Sequence, residues 1–419
     1  MRRPIGRFLA CAGLLLIAGT TLVPMPQQTA ASQLTSLWCL VCGHYGGVDV
    51  VDNLILFVPA ALGLRLLGLR TRTVVVTGAV LSLGIEFLQG TLITGRDASL
   101  SDVLTNSLGT WLGALLGTHQ GRLRIPNPRQ ALYLAGSAAA AWLGSQAGTA
   151  ALLRPWAPAY SLAGVWGQSV AGRPAYDGEV ISAVLSGEAV ARDSGALSPE
   201  TAGKIRAGRF DLAIQLLSGR RRQRWSPVVA VLRDQGVLLG IEALGPDLVF
   251  QPALRSAQLR LGRPSLRLPG ALGGVPGTGV MLVAGERWPT LAAEWTVSGT
   301  LHRTRQSLGP SLGWSLIAPL RYAYGPEARL ITVIWLAAWL LPTGYWTAYV
   351  PGRPFLRWTA LLLLLAAGLG ALPRLTGYPP SHWSEWLGAL LGLAGGAAGH
   401  HAAAYFEKRC DSRSINESC

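Results

Sequence analysis

Long uninterrupted apolar stretches recur at both ends of this 419-residue chain, and they limit its fold more than any other feature. Hydrocarbon offers no partners to backbone N–H and C=O groups, so a stretch of about twenty apolar residues is read as a membrane-crossing helix. Eight spans are predicted: Phe8–Val23, Leu54–Leu69, Val74–Leu92, Val103–Gly117, Ala131–Leu152, Leu330–Trp346, Trp358–Leu372 and Trp386–Tyr405. The residues are 50% hydrophobic and only 14% charged, which suits a multi-pass membrane protein.

The net charge of +15 invites a nucleic-acid reading, but the arginines sit in short clusters between apolar runs. There they set membrane orientation, because basic loops stay in the cytoplasm. Alternating the sides puts Arg2, Arg3 and Arg7, then Arg65, Arg70 and Arg72, then Arg122, Arg124 and Arg129 inside. Arg353, Arg357, Lys408 and Arg409 follow them, so both termini are cytoplasmic, and Arg96 and Arg374 are the minor exceptions. No zinc-finger spacing or RNA-binding signature is present, and no nucleic-acid partner is expected. The first run follows a basic start, and Thr29-Ala30-Ala31 would suit a signal-peptide cleavage site. The alternation works with the helix retained, and it is read as a span.

Between Pro155 and Glu327 the composition changes to Arg, Gly and Pro with short apolar segments. Phe210–Leu217, Pro227–Leu232, Gly236–Ala243, Leu248–Phe250 and Gly279–Val283 read as strands separated by turn residues. The predicted architecture is a multi-pass α-helical membrane protein with an extracytoplasmic all-β sandwich inserted between spans five and six. Its parts are a five-helix block (1–153), the sandwich (155–327), a three-helix block (328–406) and a cytoplasmic tail (407–419). Glycoside hydrolysis needs paired carboxylates. Glu242, Glu286 and Glu294 are isolated, so the sandwich reads as non-catalytic. The basic run Arg220–Arg222, Arg224 with Trp225 reads as a solvated turn, or as a contact for anionic headgroups or polymer.

Ionisable residues inside a span are costly and need a partner or a function. Glu86 lies within the third span, and Ser82, Glu86 and Gln89 share one helical face. Asp102 and Asn106 share another, with Gly109, Gly113 and Gly117, whose spacing suits close helix packing in lipid. Asp49, Asp52 and Asn53 stand at the head of the second span. By the alternation all three sets lie near the extracytoplasmic side. A structural network would pair Glu86 with Arg96, use Asp102 as a helix N-cap with Ser101 as competitor, and join Asn106 to Gln89. A pocket in the outer leaflet would use the same groups to hold a ligand. Trp111–Gly117 reads WLGALLG, as does Trp386–Gly392. Leu, Ala and Gly are common in apolar sequence, and the second copy lacks Asp102 and Asn106, so no duplicated fold is inferred.

At Asn53-x3-Phe57-x-Pro59, Glu86-x-x-Gln89, Arg96 and Asp102-x3-Asn106-x-x-Gly109 the chain resembles the VanZ-like family, over about residues 10–120. The resemblance implies a bacterial envelope protein of the cytoplasmic (inner) membrane, from a family named for an accessory role in resistance to teicoplanin-type glycopeptides. It supplies no reaction. The central domain resembles jelly-roll sandwiches of the concanavalin A-like or laminin-G-like kind, which bind carbohydrate or protein.

Cys39 and Cys42, in an outer loop, suit a disulfide, a zinc half-site with His44, or a redox pair. A disulfide or plain thiols are the simplest reading, and no metal or cofactor is expected. Function reads as non-enzymatic binding of membrane lipid, a lipid-linked glycan, a cell-wall component or a glycopeptide antibiotic. A membrane-embedded enzyme using Glu86 or Asp102 as acid/base on polyprenyl-linked substrates is the second reading. A lipid or small-molecule transporter is the third; it would place polar groups on both membrane sides, whereas these fall on one.

Overall fold

The computed structural model describes residues 2–23, 46–93, 98–160, 162–170, 173–220, 225–233, 236–317 and 325–414. The chain forms two compact units. One comprises Met1–Thr118, Leu152–Leu308 and Ser315–Tyr322, and the other His119–Ala151, Gly309–Trp314 and Ala323–Cys419. The long helices before the sheets are α1 (Arg2–Thr21), α2 (Gly46–Leu66), α3 (Thr71–Thr91), α4 (Leu100–Arg124) and α5 (Pro128–Leu152).

In the first unit, glycines set the helix spacing. A Cβ on Gly13 of α1 would lie 2.6 Å from Ala60 N of α2, and one on Gly63 of α2 2.3 Å from Ala10 N. These pairs run antiparallel. A Cβ on Gly109 of α4 would lie 2.2 Å from Leu54 O, and one on Gly113 2.5 Å from Val58 O. These run parallel, so α2 and α4 start at the same level. The outer face of α3 is apolar and exposed at Val76, Val80, Leu83 and Phe87. Its inner face buries Ser82, Glu86 and Gln89 beside Val74, Gly78 and Ile85. That is the reverse of a water-soluble surface helix, whose apolar stripe faces inward. Charge is segregated too. Arg7, Arg65, Arg70 and Arg72 gather where Arg65 Nε donates to Thr118 Oγ1 at 3.1 Å, while Asp49, Asp52 and Asp102 stand at the opposite ends of these helices.

The same unit holds the β domain. Its strands are β1 (Ala163–Trp166), β2 (Glu179–Leu185), β3 (Glu188–Ala189), β4 (Gly195–Ala196), β5 (Arg209–Leu217), β6 (Ser226–Arg233), β7 (Gly236–Leu244), β8 (Asp247–Gln251), β9 (Leu266–Leu268), β10 (Gly279–Arg287), β11 (Thr290–Val297) and β12 (Thr300–Ser307). Helix α6 (Pro199–Arg206) precedes β5, with Ser198 accepting from Thr201 N at its cap. Two antiparallel six-stranded sheets result, ordered β4-β1-β6-β7-β8-β9 and β12-β11-β10-β5-β2-β3. They pack face to face, with Phe210 of β5 edge-on to Phe250 of β8. Strands β7 and β8 are buried on both faces, whereas β10 and β11 alternate buried and exposed. A short 3₁₀ turn, Arg255–Leu259, ends at Arg260, whose carbonyl accepts from Gly47 N at the start of α2 at 3.2 Å. The β domain thus touches the end of α2 that carries Asp49 and Asp52.

The second unit contains most of α5, α8 (Pro326–Thr347), α9 (Pro354–Leu365), a π-helical turn (Ala366–Ala371), α10 (Leu372–Leu375) and α11 (Trp383–Ser414), and it takes in the first residue of the short α7 (Trp314–Ile317). The π turn leads into Pro373, which has no N–H to continue a regular ladder. Its core is Trp142, Leu336, Leu340, Leu361, Leu365, Leu369, Ala389 and Leu393. Tyr345 and Tyr349 donate to Arg124 O, and Trp346 Nε1 donates to Leu123 O at 2.8 Å, satisfying the last carbonyls of α4.

The WLGALLG stretches pack alike. Cβ atoms on Gly388 and Gly392 of α11 would lie 2.7 Å from Val333 O and 2.5 Å from Ala337 O of α8. Gly388 occupies the place of Gly113 in the repeat, and the same sequence separation divides it from its partner. The resemblance that sequence alone left to composition is a shared packing mode of two parallel helices. Among the described residues five helices are long and apolar enough to cross a membrane: Arg3–Thr21, Gly46–Leu66, Thr71–Thr91, Pro326–Thr347 and Pro354–Leu375. Helices α4 and α5, of 25 residues each, and α11, of 32, are at least as long but less apolar.

Candidate functional site

The polar residues of the first unit converge on α3. The Glu86 carboxylate is buried (7% exposed) and accepts from the Ser99 backbone N–H at 2.7 Å. Ser99 immediately precedes α4, so it holds the N-cap position. The run Ser99-x-x-Asp102 has the form of a capping box, in which the third helical residue returns a carboxylate to the N-cap N–H. Here a neighbouring helix supplies that carboxylate. Asp102 is the third residue of α4, half-buried, and the expected N-cap roles of Asp102 and Ser101 are corrected because the helix begins at Leu100.

One turn deeper, Asn106 Nδ2 donates to Ser82 Oγ at 2.9 Å, both groups being buried. The expected partner was Gln89. Gln89 instead donates to Thr21 O at 2.9 Å, satisfying a carbonyl in the last turn of α1. Asn106 Oδ1 is buried, and among the described residues nothing donates to it. Below it Thr110 Oγ1 donates to Asn106 O, and its side chain fills the space over Gly78.

The remaining sequence candidates fall differently. Asp49 and Asp52 are exposed and Asn53 half-buried, all within the first turns of α2, which starts eight residues before the predicted span. The parallel register of α2 and α4 puts them level with Asp102. Gly109, Gly113 and Gly117 face α2, the last against the Arg65 side chain. Arg96, Cys39, Cys42 and His44 lie outside the described residues, as does 221–224 of the basic run. Cys11 is an exposed thiol on α1. His382 is exposed, with Nδ1 2.9 Å from Ser384 Oγ at the start of α11.

Two groups that sequence reading left unassigned are in the β domain. Glu242, read as isolated, pairs with Arg173 and accepts from Gln251 Nε2 at 2.9 Å. Its partners come from a loop and the next strand, so spacing along the chain gave no sign of them. Glu286 is fully buried, and among the described residues neither carboxylate oxygen has a hydrogen-bond partner. Burial pushes its acid up to about 8. Its cross-strand neighbours are Phe210 and Leu291.

Helices with apolar exposed faces and a polar interior, joined to a two-sheet domain, make this a membrane protein. Residues 10–119 match the VanZ/LLP1 family model, a stretch that takes in most of α1 to α4 with Asp49, Asp52, Ser82, Glu86, Gln89, Asp102 and Asn106. No curated protein and no solved structure matches the chain.

Proposed function

We propose that this is a non-enzymatic, VanZ-like protein of the bacterial cytoplasmic membrane that holds an amphiphile at the acidic end of α2, α3 and α4. In this reading eight helices cross the bilayer, both termini are cytoplasmic, and the sandwich, of concanavalin A-like or laminin-G-like kind, stands outside. The segregation of Arg7, Arg65, Arg70 and Arg72 from Asp49, Asp52 and Asp102 supports that orientation. The bound group would be a lipid headgroup, a lipid-linked glycan or a glycopeptide antibiotic, which gives a route to an effect on glycopeptide resistance.

One observation carries the reading. The pair α8 and α11 repeats the glycine packing of α2 and α4, yet among the described residues its buried polar side chains are the hydroxyls of Thr332, Thr343 and Ser384, with no carboxylate or amide. Close packing of this kind of helix pair therefore tolerates buried hydroxyls such as Ser82 but needs no buried carboxylate or amide like Glu86, Gln89 and Asn106. Polar groups beyond what packing requires are expensive in a membrane and mark a function. Asn106 Oδ1, buried and without a donor among the described residues, is an acceptor left over from the network they form. Glu86 is buried and holds the Ser99 N–H, so its carboxyl group is fixed in place as a hydrogen-bond acceptor.

The test is mass spectrometry of lipids retained by the protein purified in mild detergent. An amphiphile should copurify near one per chain and be lost from Asp49→Asn/Asp52→Asn, with thermal unfolding measured alongside to separate loss of the ligand from loss of the fold. Retention of bulk lipid alone by the unaltered protein would sink the reading.

A further inference from the structure

We propose that the open face of the β12-β11-β10-β5-β2-β3 sheet binds an extended phosphate-bearing polyanion, independently of any ligand in the helices. The sheet register assembles the site. On the outer side Gly285 of β10 stands opposite Ala292 of β11, and Ala292 stands opposite Arg305 of β12. Arg287 stands opposite Arg209 of β5, and Arg303 lies two residues from Arg305 on the same side. Strands lie about 4.8 Å apart, so Arg287 and Arg305 rise from strands roughly 10 Å apart, with Ala292 exposed between them and Gly285 covered by the Asp211 carboxylate that pairs with Arg287. The result is a shallow trough with a guanidinium wall on each side.

Charge points to the occupant. Arg287 pairs with Asp211 at 2.6 Å and Arg303 with Glu294 at 2.9 Å. Both pairs are solvent-exposed and so hold weakly. Among the described residues no carboxylate pairs with Arg209 or Arg305. Arg209 and Arg287 face each other directly, an arrangement that costs the sheet stability. Guanidinium groups take phosphate oxygens in pairs, and a polymer with repeated charges reaches both walls. Neutral sugars would instead call for an exposed aromatic platform. On these strands Phe210 and Trp295 are buried on the inner side, and the outer face carries none. The face is free to receive a chain, with Met281, Val283 and Leu301 47–60% exposed. The partner sheet offers no equivalent, because β7 and β8 are covered on both sides.

The experiment measures binding of long-chain inorganic polyphosphate to the full-length protein in mild detergent over a salt series. Affinity should fall steeply with salt, and Arg209→Gln/Arg305→Gln should weaken it about tenfold or more. Arg70→Gln/Arg72→Gln, which removes the same charge from the helix ends, should leave it within about twofold. Equal loss in both variants, or none in the sheet variant, would overturn the proposal. So would tighter binding of polyglutamate than of polyphosphate, which would mark an acidic protein as the partner.

Discussion

The Glu86 carboxylate accepts the Ser99 N–H at 2.7 Å, so the third helix caps the fourth across a connection of few residues. An anion at a helix N-terminus gains from both the hydrogen bond and the helix dipole. Glu86→Gln keeps an acceptor but loses the charge, and should cost about 1 kcal/mol. Glu86→Leu strands the N–H, and should cost about 1–3 kcal/mol. Thermal unfolding in detergent at matched lipid content should rank them in that order. Equal midpoints for Gln and Leu would show that the cap contributes nothing.

The parallel contact of α2 and α4 predicts a steric contrast. A Cβ on Gly113 would meet Val58 O at 2.5 Å, and one on Gly84 meets nothing within 4 Å. Gly113→Ala should lower the unfolding temperature by several degrees, as overpacking costs about 1–3 kcal/mol. Gly84→Ala, on a lipid-facing position of α3, should be neutral or slightly stabilising. Gly388→Ala, against Val333 O at 2.7 Å, should act like Gly113→Ala, because the same packing mode serves α8 and α11.

Much of this was legible in the sequence, for reasons that particular residues make clear. Apolar runs fixed the positions of α1, α2 and α3 because lipid demands length and hydropathy alone. Their ends were misjudged where polar residues continue the helix: Asp49, Asp52 and Asn53 read as a head before the span, yet α2 starts at Gly46. Ser82, Glu86, Gln89 and Asn106 could be assigned to faces from helical spacing, but their partners depended on helix register. Asn106 reaches Ser82 because Gly109 and Gly113 set the height of α4, and nothing local encodes that height. Strand β12, Thr-Leu-His-Arg-Thr-Arg-Gln-Ser, was invisible to apolar patterning because an edge strand with one open face carries little of it. Its arginines became meaningful only in register with β11 and β10.

Glu286 predicts a pH dependence of the β domain. Its acid titrates near 8 when folded, because burial disfavours the charge, against about 4.5 unfolded. Between those values the folded state holds a proton that the unfolded state has lost, so stability falls as pH rises. Below the lower value both states are protonated and the group contributes no penalty. Glu286→Gln should therefore raise the unfolding temperature most at pH 8 and progressively less toward pH 4.5. A gain that does not change with pH would mean that the side chain's shape, and not its proton, sets the cost.

Glu242 makes the opposite case, a buried carboxylate with its partners in place. It is 2% exposed, pairs with Arg173, and accepts from Gln251 Nε2 at 2.9 Å. Removing one member of a buried ion pair leaves an uncompensated charge, at a cost of about 3–5 kcal/mol. Arg173→Ala should therefore destabilise the β domain severely at neutral pH. Arg173→Ala/Glu242→Leu removes the stranded charge along with its partner, and should recover much of the loss. Such recovery in a double-mutant cycle would distinguish a stranded charge from simple loss of Arg173 packing, for which the two substitutions would add. Additive losses would show that the pair is not coupled.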